Sequence, residues 1–173
     1  MQYRSSLQLV VVAALALLAA ACSRVDPALQ ARLQRLEDRE QILELMTAYG
    51  ATLDRRDFDA FGQLFAEDAE YGSGPGAVRG RAAIQAQLEQ MIGSNPANLP
   101  APNFHVFFNP SIDVDGNTAR ATSLGAYTAP DAAGGGTRLA FFVSYEDTLV
   151  KQDGHWLFQR RVTGSGAPPA PVR

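Results

Sequence analysis

The hydrophobic repeat of this chain changes period once, near residue 103, and that change limits the folds open to it. Before that point, Leu29, Leu33, Leu36, Leu43, Met46, Tyr49 and Leu53 recur at helical spacing. Asp26 is placed to cap this first long helix, and Pro27 suits its first turn. Asp57 can cap a second, short helix over 58–65, with Phe58, Phe61, Leu64 and Phe65 on its apolar side. A brief strand is predicted over 69–71, then a loop through Gly72-Ser73-Gly74-Pro75-Gly76. A third helix is predicted over 81–92, with Ile84, Leu88, Met91 and Ile92 inward. After the loop that ends at Pro102 the period is two. Strands are expected over 103–114, 118–128, 139–151 and 155–163, with turns at Asp115-Gly116-Asn117 and Asp153-Gly154 and a longer loop over 130–136. Three helices followed by long antiparallel strands are an α+β pattern. The expected architecture is a cone-shaped α+β barrel: three helices packed on one side of a curved, mostly antiparallel sheet, enclosing a pocket.

The N-terminal segment has a different character. Arg4 precedes an apolar run over 7–21 that is broken only by Gln8 and ends in Leu18-Ala19-Ala20-Ala21. A positive start, a short apolar core and small residues before a cut describe a secretory signal peptide over 1–21. The run is shorter than the ~20 residues of a membrane-spanning helix. Cys22, the sole cysteine, stands where a bacterial lipoprotein carries its lipid; Ala19-Ala20-Ala21-Cys22 is similar to the lipoprotein box, with Ala19 for its usual leucine. Two destinations follow. If Cys22 is lipidated, 22–27 is a lipidated cysteine and short linker, and Ser23 in place of a retention aspartate directs the protein to the outer membrane, facing the periplasm. If it is not, the product is soluble in the periplasm or secreted. The domain then spans 28–164, and the proline-rich 165–173 is a loose tail.

Composition excludes several classes. Net charge is −3 for the whole chain and −4 without Arg4, which argues against a nucleic-acid partner. One cysteine allows no intrachain disulfide, and neither a Cys/His metal cluster, a phosphate-cradling loop nor a G-x-S-x-G elbow is present in the sequence. No metal and no cofactor are expected.

The residues suited to chemistry are few. Asp54 falls at the end of the first helix, where a carboxylate meets the negative end of the helix dipole and requires compensation. Surface pairing with Arg55 or Arg56 is one form of compensation; turning into a pocket is the other. His105, one of two histidines, shares a strand face with Asn103, Phe107 and Asn109, while Phe104, Val106 and Phe108 take the opposite face. An Asp54–His105 hydrogen bond would hold one imidazole tautomer and leave the other nitrogen free as acid or base. Tyr49 and Tyr71 can donate to a substrate carbonyl oxygen or simply pack. Ala119, Ala121, Ser123 and Gly125 form a small-residue face that leaves room for a ligand or for a helix. Trp156, Phe158, Phe141, Val143 and Tyr145 are expected in the core. Asp147 and Arg161 are expected as a structural cross-strand pair, His155 as exposed, and Glu67 and Asp68 on a solvated turn.

Four motifs in order resemble the SnoaL-like branch of the nuclear transport factor 2-like superfamily, over about 28–163. They are Tyr49-Gly50-Ala51-Thr52-Leu53-Asp54-Arg55-Arg56-Asp57-Phe58-Asp59-Ala60 with Leu64-Phe65-Ala66-Glu67-Asp68-Ala69; Gly80-Arg81-Ala82-Ala83-Ile84; Phe104-His105-Val106-Phe107-Phe108-Asn109-Pro110; and Tyr145-Glu146-Asp147-Thr148-Leu149 with Asp153-Gly154-His155-Trp156-Leu157-Phe158 and Arg161. The resemblance implies the cone-shaped fold. It includes scytalone dehydratase, ketosteroid isomerase, limonene epoxide hydrolase, polyketide cyclases and proteins that only bind, so it fixes no activity. It implies that Asp54 and His105 match the pocket aspartate and a catalytic-site histidine of scytalone dehydratase, and that Tyr71 matches a substrate-facing tyrosine. Ser123 stands about where that enzyme has a second histidine, and a serine does not shuttle protons near neutral pH. Gly72-Ser73-Gly74 occupies the region of the ketosteroid isomerase base, and the Asp-Arg-Asp triad of the epoxide hydrolase has no clear equivalent.

Two functions are therefore expected. In one, His105 oriented by Asp54 moves a proton next to a carbonyl of a small apolar or aromatic substrate, as a cofactor-independent dehydratase, isomerase or cyclase. Tyr49, Tyr71, Asn109 and Ser123 would line the substrate. In the other, the domain is a non-catalytic binder of a hydrophobic small molecule or partner, held at the membrane through its lipid. Homodimerisation through the sheet face is implied by the resemblance.

Overall fold

The computed structural model describes residues 26–93, 103–131, 135–164 and 170–172. Residues 1–21, expected as a signal peptide, together with Cys22 and most of the tail, lie outside the described residues. The chain divides into two compact units, Met1–Glu37 and Asp38–Arg173. Helix α1, Pro27–Arg55, runs through the division. Asp26 caps it as the sequence predicts, its Oδ1 accepting from the Ala28 N–H at 2.9 Å. In the first unit Leu29, Leu33 and Leu36 are about half exposed.

The second unit holds the core. Ile42, Leu45, Met46, Tyr49 and Leu53 of α1 are buried. Helix α2, Phe58–Gly62, is capped by Asp57 through the Ala60 N–H at 3.1 Å. It stops earlier than the predicted 65, because Leu64 and Phe65 leave for the sheet. Strand β1, Phe65–Tyr71, is consequently longer than predicted, and Glu67 and Asp68 are exposed on it, not on a turn. A 3-10 turn at Gly74–Gly76 leads to β2, Val78–Arg79, a strand too short to give a periodic signal. Helix α3, Arg81–Gly93, buries Ile84 and Leu88; Met91 is exposed, contrary to expectation.

Four long strands follow: β3, Phe104–Asp115; β4, Thr118–Pro130; β5, Thr137–Gln152; and β6, His155–Gly164. The six strands form one sheet in the order β2-β1-β6-β5-β4-β3. Among the described residues only the β1–β6 pairing is parallel; the others are antiparallel. Register shifts interrupt each long pairing, the kind of irregularity that curves a sheet. Three helices on a curved, mostly antiparallel sheet, the predicted α+β class, are what the described residues show.

The inner face of the sheet carries Ile112, Ala119, Ala121, Tyr145, Leu149, Trp156 and Phe158, packed against α1. Each fully buried large side chain contributes about 1.5–3 kcal/mol. Tyr49 lies at the centre, with its ring 5.3 Å from Phe61, 5.9 Å from Phe158 and 6.0 Å from Tyr145. Polar pairs fix the helix to the sheet. Asp38 Oδ1, buried, accepts from Lys151 Nζ at 2.7 Å and Trp156 Nε1 at 3.0 Å. The Arg39 guanidinium donates to the Ile112 carbonyl.

Candidate functional site

The last turn of α1 lies against the start of β3, and Gly50 makes the approach possible. A Cβ at Gly50 would stand 2.9 Å from Phe107 Cε2 and 3.0 Å from His105 Cβ. Four residues further on, one helical turn, Asp54 reaches His105. His105 Nδ1 and Asp54 Oδ1 are 2.6 Å apart, and the His105 backbone N–H donates to both carboxylate oxygens at 3.1 Å. Both side chains are mostly buried, 12% exposed for His105 and 17% for Asp54. These donors supply the compensation that a carboxylate at a helix C-terminus requires. Arg56 does not pair with Asp54: its backbone is left-handed at φ 60°, and its guanidinium donates to the Leu53 carbonyl at 2.6 Å and to Asn103 Oδ1 at 3.2 Å.

The carboxylate accepts the Nδ1 proton, so the neutral ring keeps its lone pair on Nε2. Among the described residues no hydrogen bond to Nε2 is formed. The ring is held by Tyr127, whose centroid is 4.7 Å away at 75°, and Tyr127 in turn stacks on Phe141 at 5.3 Å. The Tyr127 hydroxyl donates to Asn103 Oδ1, the atom that also receives Arg56. Tyr127 and Arg56 are supports that the sequence reading missed. The signal was the hairpin: counting back from Asp115-Gly116-Asn117 brings His105 within one position of Tyr127, and the register shift in β3 completes the match.

Other candidates fall in different places. Tyr49 and Tyr71 come together, hydroxyl to hydroxyl at 3.1 Å, both buried. Burial pushes both phenols above the usual tyrosine range, Tyr49 strongly so. The edge of the Tyr49 ring meets His105 at 6.4 Å. Ser123 is buried on the inner face of β4. Asn109 does not share the face of His105. Between Phe108 and Ser111 the β3–β4 register shifts, Asn109 takes a left-handed φ of 50°, and its side chain is exposed. Pro110 has no N–H to give the ladder, which explains a bulge at this point. The small residues of β4 are partly filled from within, since a Cβ at Gly125 would meet Tyr145 Cε2 at 2.7 Å.

Phe141, expected in the core, is 47% exposed. His155 is exposed, as expected. Asp147 and Arg161 do pair across β5 and β6, and both are fully buried. Arg161 Nε and Nη2 donate to the two Asp147 oxygens at 2.7 and 2.8 Å. Burial alone would lower the guanidinium pKa, but the Asp147 charge and hydrogen bonds carry it above its ordinary value, so Arg161 is a cation. Among the described residues no cluster of three or more His, Cys, Asp or Glu could hold a metal ion, and no helix is long and apolar enough to cross a membrane.

A mostly antiparallel curved sheet under three helices, with an aspartate–histidine pair where the long helix meets the sheet, describes a nuclear transport factor 2-like domain. Residues 34–162 match the SnoaL-like domain model, and the chain belongs to that family. It is 30% identical over 131 residues to an uncharacterized protein of Mycobacterium tuberculosis strain H37Rv, covering 73% of this chain and 84% of the relative. Among solved structures it is similar to an NTF2-like protein with a cystatin-like fold from Novosphingobium aromaticivorans. That likeness has a TM-score of 0.70 and 29% identity, covering 83% of this chain and 91% of the other. A candidate scytalone dehydratase from the same organism gives a TM-score of 0.63 and 27% identity, covering 80% and 91%.

Proposed function

We propose that this SnoaL-like domain is a cofactor-independent proton-transfer enzyme of the dehydratase, isomerase or cyclase type, with Asp54 and His105 as its acid–base pair. The observation that carries the reading is the three-contact hold of Asp54 on His105. It directs Nδ1 to the Asp54 carboxylate and leaves Nε2 as the base, the arrangement general acid–base catalysis needs. The substrate is a small apolar or aromatic carbonyl compound, in keeping with the aromatic side chains around Tyr49. His105 Nε2 takes a proton from the carbon next to the carbonyl and returns it at the end of the reaction. The likeness to a candidate scytalone dehydratase supports this class of chemistry. The test is deuterium incorporation, by NMR, into a panel of aryl ketones in D2O. Wild type exchanges the carbon-bound proton; His105→Ala does not. Mass spectrometry of small molecules released from the denatured protein identifies the ligand.

A second reading is a binding domain that works as a homodimer. It draws on the outer sheet face, where Phe104, Val106, Phe108, Leu139 and Phe142 are 37–51% exposed. Apolar exposure on this scale favours a protein contact. A second copy is the proposed occupant, and Phe142→Glu is expected to convert a dimeric solution mass to a monomeric one. We further propose export and lipidation at Cys22, outside the described residues. Intact-protein mass of the membrane fraction is expected to carry diacylglyceryl and acyl groups, and Cys22→Ser to remove them.

A further inference from the structure

Every residue from 26 to 37 is exposed, yet this part of α1 carries three leucines. Leu29, Leu33 and Leu36 are 50%, 48% and 54% exposed. The buried residues of α1 begin at Asp38, so the core accounts for none of the three. Their spacing is four and then three, which puts them on one stripe of the helix. A single exposed leucine is ordinary; three in line make an apolar strip within the first unit.

Steps of four and three are also the spacing of a heptad seam, with Leu29 at d, Leu33 at a and Leu36 at d. The same count sets the flanks. Arg32 takes the g position on one side of the strip, and Glu37 takes the e position on the other. Neither has an opposite charge three or four residues away along its own helix. In a parallel pair of helices, a g residue faces the e residue of the next heptad on the partner. Arg32 precedes Glu37 by that interval, so a second copy laid parallel makes the opposite-charge pair on both sides of the seam. Laid antiparallel, g faces g, which sets Arg32 against Arg39, the next g residue. The strip is therefore complementary to itself in one orientation. A lipid surface fits it less well, because Glu37 flanks the strip and Glu40 takes the next a position in line with the leucines.

We propose that the front of α1 is a docking strip for a second copy of this chain, paired parallel through Leu29, Leu33 and Leu36 and oriented by Arg32 against Glu37 of the partner subunit. The strip is about three helical turns long, short for a helix pair to persist in dilute solution. The contact is transient, separate from the outer sheet face and independent of the proton-transfer reading. A parallel pair brings both N-termini together, which agrees with the proposed anchor at Cys22.

Disulfide capture reads a transient contact. The full chain carries Cys22→Ser, which removes its natural thiol, and Phe142→Glu, which removes the sheet contact. A new thiol is then introduced by Leu36→Cys, in the seam, or by Ala31→Cys, at the f position opposite the seam. Mild oxidation is expected to link Leu36→Cys chains at least roughly tenfold faster than Ala31→Cys chains. Added to Leu36→Cys, Arg32→Glu is expected to slow capture about fivefold, and Glu37→Arg likewise, because two-fold symmetry repeats each repulsion. Arg32→Glu/Glu37→Arg together restore the rate, since the pair is rebuilt with its signs exchanged. Equal rates for Leu36→Cys and Ala31→Cys would mean a different occupant, such as a lipid surface, and overturn the proposal. Faster capture with Arg32→Glu would mean an antiparallel pair, and a charge-swapped chain as slow as the single variants would remove the ion pairing; either result overturns it as well.

Discussion

Asp54 grips His105 at two points, by the ring Nδ1 at 2.6 Å and by the backbone N–H at 3.1 Å to each oxygen. The second contact anchors the carboxylate to the strand independently of the ring, so the geometry survives changes to the imidazole. Asp54→Asn retains the shape but places an amide against Nδ1, and an amide N–H there would turn the proton to Nε2. Carbon–proton exchange is expected to fall by about 10²–10⁴-fold, with folding nearly unchanged. Exchange rates and thermal unfolding of the variant check both halves.

Gly50 sets the distance between α1 and β3. Gly50→Val places branched carbon where Phe107 Cε2 and His105 Cβ lie 2.9 and 3.0 Å from the first added atom. Overpacking of this kind costs about 1–3 kcal/mol, more than valine gains over glycine in helix propensity. The urea midpoint is expected to drop by a corresponding amount, and exchange activity to fall with it because His105 is displaced.

The fully buried Asp147–Arg161 pair separates net contribution from the cost of breaking it. Asp147→Ala leaves a buried guanidinium without its anion and is expected to cost about 3–5 kcal/mol. Asp147→Leu/Arg161→Met removes both charges and is expected to lie within about 1 kcal/mol of wild type or above it. Equilibrium urea unfolding of the three proteins tests the difference.

Alkaline pH reports on the buried tyrosines. Burial raises Tyr49 and Tyr71 above the usual phenol range and Tyr145 to about 12. In the unfolded chain each ionises near pH ~10. Between those values the native state binds more protons than the unfolded state, so stability falls as pH rises. Stability is expected to be insensitive to these groups below pH ~10, then to drop by about 1.4 kcal/mol per pH unit for each tyrosine that stays neutral in the fold. Unfolding free energy against pH checks this, and Tyr145→Phe is expected to reduce the slope.

Much of this fold is legible in the residues because local signals agree. Asp26 and Asp57 cap their helices where a cap is expected, and the turns at Gly116 and Gly154 join the strands that alternation marks. The Asp54–His105 contact was legible for a similar reason: a carboxylate at a helix C-terminus requires a donor, and His105 lay on a polar strand face. The sequence reading fails where one residue changes parity. The bulge at Asn109-Pro110 turns Asn109 out to solvent, and no periodic count across it keeps register. The cross-strand pairing of Arg161 with Asp147 is legible in the sequence, but its complete burial is not, because arginine is rarely fully buried; only the tertiary structure surrounds it with Tyr49, Tyr145 and Phe158. Tyr127 supports His105 through cross-strand pairing, a relationship that depends on that same shifted register.

The central claim is that Asp54 fixes His105 with its proton on Nδ1 and its lone pair on Nε2. Nitrogen NMR of the His105 imidazole through the neutral pH range measures this directly. In the neutral ring Nδ1 is expected to be protonated and Nε2 unprotonated, with the preference lost in Asp54→Asn. A neutral ring in wild type that carries its proton on Nε2 would contradict it.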